Sequence, residues 1–80
     1  METKVKADVF QNLRGVGCPM NLVKTKFAFS KMKPGQILEL ILDDGPPINN
    51  VPRSVIREGH EVLIQEKLDD GCWSVLIRKA

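Results

Sequence analysis

The chain has 80 residues, 42% hydrophobic and 28% charged, with two cysteines and a net charge of +2. That length fits one domain over residues 1–80 with a modest core, and the composition excludes disordered and disulfide-framed classes. No apolar run approaches the roughly 20 residues of a membrane span, and no apolar stretch follows Met1-Glu2-Thr3-Lys4 to make a signal peptide. The expectation is a reducing, cytoplasmic setting with free thiols, away from membranes.

The charge is unevenly spread. Residues 1–35 carry seven basic side chains (Lys4, Lys6, Arg14, Lys24, Lys26, Lys31, Lys33) against Glu2 and Asp8, while residues 36–80 carry five basic and eight acidic ones. A basic half of this kind is either a solvated lysine face or a steering surface for an acidic partner.

Val5, Ala7, Val9 and Leu13 lie on one face of an alternating run, with Lys6, Asp8 and Asn12 on the other, which predicts a half-buried first strand. Gly15 and Gly17 bracket a turn. Pro19 to Lys33 reads as a helix whose core face is Leu22, Thr25, Phe29 and Met32, with Ala28 beside them; Pro34-Gly35 stops it. Met20, Val23 and Phe27 make a second apolar stripe at similar spacing, read first as wrapping over the core. If exposed, it is a docking patch beside Cys18, flanked by Lys24 and Lys31.

Gln36 to Leu42 is nearly all apolar and suits a central strand. Asp43-Asp44-Gly45-Pro46-Pro47 reads as a turn, the two aspartates as turn and cap residues. A short second helix is predicted from about Ile48 to Glu58, with Pro52 in its first turn and Gly59 at C′. Glu61 to Leu68 and Cys72 to Lys79 read as strands joined by Asp69-Asp70-Gly71, with Trp73, Val75 and Ile77 on one face. The order β-α-β-α-β-β predicts an α+β class protein: a two-layer α/β sandwich with a four-stranded mixed sheet and both helices on one face.

Cys18 stands directly before Pro19, where strand pattern gives way to helix pattern. Proline is favoured in the first helical turn, so Cys18 is expected at the N-cap, facing free amides and the positive helix end. A thiol of pKa roughly 8.5 is lowered there, by under one unit if the dipole contributes about 1 kcal/mol. The alternative is a buried helix-start cysteine acting as a small hydrophobe.

With Leu13-Arg14-Gly15, Cys18-Pro19, Pro34-Gly35, Asp43-Asp44, Val51-Pro52, Gly59-His60 and Ile77-Arg78-Lys79 in view, the chain resembles the TusA/SirA-like sulfur carrier family from about Asp8 to Lys79. The resemblance implies a fold similar to the C-terminal domain of translation initiation factor three. It also implies a sulfurtransferase that uses no cofactor beyond a transient Cys18 persulfide. A donor protein, either a cysteine desulfurase or a rhodanese-like sulfurtransferase, would supply the sulfur. A downstream acceptor in sulfur metabolism or in thio-cofactor or tRNA thiolation would receive it. The acceptor cysteine carries over onto Cys18, its proline onto Pro19 and the upstream arginine onto Arg14. The family motif is Cys-Pro-X-Pro, and Asn21 stands where the second proline would be, which implies a subfamily with its own partner. Asn21, at the third helical position, is expected to reach back to the cap residue's backbone. Arg14, Gly17, Pro19 and Asn21 are thus expected to support the thiolate or persulfide; Met20, Lys24, Phe27 and Lys31 are expected to dock partners.

Arg14 could stabilise the sulfur anion or anchor the turn through backbone carbonyls. Cys72 reads as a strand cysteine rather than a resolving thiol, and His60 as a turn or edge residue. With Cys18 they lack metal-site spacing, so no zinc or other metal is expected. Two other functions compete. An RNA-binding module is disfavoured by scarce aromatics, and no direct nucleic-acid contact is expected. A redox-regulatory adaptor would pair Cys18 with Cys72. A monomer is expected.

Overall fold

The computed structural model describes residues 7–17 and 20–80. Its elements are β1 (Val9–Asn12), α1 (Met20–Ser30), β2 (Ile37–Leu42), α2 (Pro46–Arg57), β3 (Glu61–Lys67) and β4 (Trp73–Arg78). The sheet order is β1-β2-β4-β3; β1 pairs with β2 in parallel, and β4 is antiparallel to both β2 and β3. This is the mixed four-stranded sheet that the sequence predicts.

β2 is central because it can be: Leu38, Leu40 and Leu42 are fully buried on one face. Each such leucine contributes roughly 1.5–3 kcal/mol on removal from water. They meet Phe29 and Met32 from the first helical segment, Ile48, Val51 and Val55 from α2, and Val75 and Ile77 from β4 in one core. Both helices therefore pack on the same sheet face. The opposite face carries the register-paired row Phe10, Glu39 and Leu76, next to Ile41 and Ser74; there Ser74 Oγ donates to Glu39 Oε2 at 2.9 Å.

β1 is shorter than expected, and Val5 and Lys6 lie outside the described residues. Asp8 begins the pairing by exchanging bonds with Ile37: its N–H donates to the Ile37 carbonyl (2.8 Å) and its Oδ2 accepts the Ile37 N–H (2.9 Å). α1 closes in tight i→i+3 bonds from Lys31 to Ala28 and from Met32 to Phe29, so Met32 packs from beyond the regular helix.

α2 starts two residues before the expected Ile48. Gly45 supplies the entry with φ 97°, a conformation that excludes ordinary side chains. Pro46 and Pro47, in the first two helical positions, have no N–H left to satisfy, so the helix begins without a side-chain cap. Pro52 consequently lies inside the helix rather than in its first turn. An interior proline costs about 3 kcal/mol; burial of Ile48, Val51, Pro52 and Val55 on one face offsets it. Gly59 is the C′ residue as predicted, with φ 100°. The Gly59 N–H donates to Ile56 and the His60 N–H to Val55, the paired bonds of a Schellman cap.

Candidate functional site

The loop from β1 to α1 is fixed at three points. Leu13 is buried in the core, and its N–H donates to the Ile41 carbonyl at 2.9 Å. The Val16 N–H closes a turn onto the Leu13 carbonyl at 3.1 Å, with Gly15 at φ 77°, a sign that glycine adopts without strain. The Gly17 carbonyl accepts the Asn21 N–H at 3.0 Å, joining the loop to the first turn of α1. Cys18 and Pro19, on which the sequence argument turned, lie outside the described residues.

Around this loop the fold gathers residues far apart in sequence. Asp43 Oδ2 accepts the Gly15 N–H at 2.8 Å, and Asp43 Oδ1 accepts the Cys72 thiol at 3.6 Å. Arg14 Nε donates to Asp70 Oδ2 at 2.8 Å, while Asp70 Oδ1 accepts the Cys72 N–H at 3.0 Å. The turn carrying Asp70 is a three-residue hairpin loop: Leu68 and Cys72 close it, and Gly71 sits at φ 90°.

The electrostatics follow. Burial pushes the half-buried Cys72 thiol up from its ordinary value; Asp43 and Asp70 add to that, and Arg14 opposes it. Cys72 thus keeps its proton and donates it to Asp43. The Asp70 carboxyl is held below the usual range, first by the Cys72 N–H and then by Arg14. Among the described residues no group of three histidine, cysteine or acidic side chains is placed to hold a metal ion.

Some expectations need correction or addition. Arg14 has a partner that the sequence reading did not foresee, Asp70, and among the described residues no side-chain bond from it to a backbone carbonyl is seen. Asp44 lies in the expected turn before α2, but neither aspartate is the cap. Gly45 occupies the α2 cap, Asp43 grips the β1–α1 loop, and Asp44 accepts the Trp73 indole N–H at 2.9 Å. Asn21 is fully buried, a polar residue in the helix's core face, with its carbonyl accepting the Thr25 hydroxyl at 2.7 Å. Any bond from Asn21 to the cap residue falls on Cys18, outside the described residues.

The second stripe of α1 does not wrap over the core. Met20, Val23 and Phe27 are 51%, 53% and 59% exposed. Lys31 Nζ lies 4.3 Å over the Phe27 ring. Lys26 pairs with Glu58 at 2.8 Å, but Lys24 and Lys31 take part in none of the ion pairs among the described residues. Sequence reading missed Asp43, Asp70 and the placement of Cys72, since partners 28 to 56 residues apart leave no local signal.

The family described as Sulfurtransferase TusA matches residues 11–79. A protein of Archaeoglobus fulgidus, named as a candidate sulfur carrier, is 43% identical over 95% of this chain and 86% of its own length. Two others named in the same way, from Thermotoga maritima and Bacillus subtilis, are 39% and 34% identical, each over 84% of this chain and 85% and 87% of theirs. No helix among the described residues is long and apolar enough to cross a membrane. With the match running from within β1 through the loop, both helices and the other three strands, the chain belongs to the TusA sulfurtransferase family.

Proposed function

We propose that the protein is a sulfur carrier whose reacting atom is Cys18 Sγ, working in a reducing compartment between a donor and an acceptor protein. The Cys18 thiolate attacks the outer sulfur of a donor persulfide. The donor's S–S bond breaks, its thiolate leaves, and Cys18 holds the sulfur as a persulfide. An acceptor nucleophile then attacks that outer sulfur, and the Cys18 thiolate leaves. Each step exchanges one bond to sulfur for another, so no oxidant or reductant is consumed. The observation that carries this reading is the family match over residues 11–79, a span that includes Cys18. A basic, lysine-bearing helix following the thiol favours its anionic forms.

The partners dock on the exposed stripe of α1. Met20, Val23 and Phe27 supply apolar contact that the core does not use, and Lys24 and Lys31 supply positive charge that no acid of α1 neutralises. An apolar groove with an acidic rim is the complementary surface.

Mass spectrometry after incubation with a cysteine desulfurase and cysteine tests the chemistry. The wild-type chain gains one sulfur on the Cys18 peptide, and Cys18→Ser gains none there. Equal labelling of both chains, or sulfur found on Cys72 alone, would sink the assignment.

A further inference from the structure

One carboxylate holds the Cys18 loop from outside. Asp43 follows β2, yet its Oδ2 takes the Gly15 N–H in the middle of the β1–α1 loop, and its Oδ1 takes the Cys72 thiol from just before β4. We propose that Asp43 is a positioning residue for the chemistry of Cys18, holding the β1–α1 loop at the Gly15 amide while Cys72 orients the carboxylate. The proposal rests on reading Cys18 as the reacting group.

The loop has an anchor at each end, Leu13 in the core and the Gly17 carbonyl on the Asn21 N–H; Asp43 is the hold between them. The turn is closed within itself by the Val16 N–H on the Leu13 carbonyl and the Arg14 N–H on Asn12 Oδ1; without Asp43 its remaining tie at Arg14 and Gly15 to the rest of the fold is the Arg14–Asp70 pair, whose side chains are 40% and 48% exposed. Exposed ion pairs constrain little. Asp43 instead grips backbone, and both of its oxygens are used, so its own orientation is fixed. Small misplacements of a reacting group carry large penalties in rate.

The readout is alkylation of Cys18 by iodoacetamide, followed across pH and resolved from Cys72 by peptide mass. Asp43→Ala slows Cys18 about five- to tenfold at neutral pH. Asp43→Asn stays within about twofold of wild type, because its amide oxygen still accepts the Gly15 N–H. Asp43→Glu keeps the charge, displaces the carboxylate by one methylene, and slows Cys18 at least about threefold; it also serves should the alanine variant fail to fold. Asp44→Ala loses the neighbouring Trp73 bond but leaves Cys18 at the wild-type rate. Wild-type behaviour of Asp43→Ala or Asp43→Glu overturns the proposal, as does failure of Asp43→Asn to retain the rate, or equal slowing by Asp44→Ala. The electrophile needs no sulfur donor, so absence of sulfur loading in the wild type would count against the carrier reading alone.

Discussion

His60 shows how one side chain acquires several duties. Its ring stacks on Phe29 with centroids 4.1 Å apart, and its Nδ1 accepts the Ala80 N–H at 3.1 Å. Burial, then the charge of Lys79, lowers its pKa from 6.5, with Glu58 opposing. The folded chain therefore prefers the neutral ring. Its contribution is fully present above the unfolded value of 6.5 and is lost as pH falls from there towards the folded value. Thermal unfolding of the wild type should show a falling midpoint over that window. His60→Phe, which keeps the ring contact but cannot titrate, should show a smaller fall; identical slopes would assign the effect to other groups. None of these contacts is legible locally, because Phe29 and Ala80 are distant in sequence. Asn21 is a second case: its helical position is readable, its burial is not, since a polar side chain at a core position contradicts the ordinary pattern.

Among the elements, β2 and the β3–β4 hairpin were readable because each carries its own signal, an apolar run in one and Asp69-Asp70-Gly71 in the other. α1 was readable as a helix with its core face of Thr25, Phe29 and Met32, but not the exposure of its second apolar stripe, since both stripes share the helical period. α2 was located with its start misplaced, as two consecutive prolines look like a turn until they are seen to occupy the first helical positions. Its end is the firmer part. At Gly59 an added Cβ would meet only Ala80 Cβ at 3.9 Å, an ordinary contact, so the cost of Gly59→Ala is conformational. Moving an alanine into that left-handed conformation should destabilise the chain by about 1–2 kcal/mol, read as a lower urea midpoint with an unchanged slope. No change would mean that the cap relaxes to another geometry.

For the molecule as a whole, the fold keeps the sequence's charge asymmetry on its surface: the lysines of α1 face outward, and only Lys26 is paired with an acid among the described residues. Screening at physiological salt acts over about 8 Å. Sulfur transfer from a protein donor should therefore slow as salt rises, and Lys24→Glu with Lys31→Glu should remove most of that dependence while Cys18 still reacts with small electrophiles. A salt-independent rate would place docking elsewhere. The sheet has a mechanical asymmetry of its own. β1 is the shortest strand, lies at the margin and is joined to β2 alone, whereas β2, β4 and β3 zip together along six-residue registers. Partial opening begins where least is lost, so peeling of that outer ribbon is the cheapest excursion available.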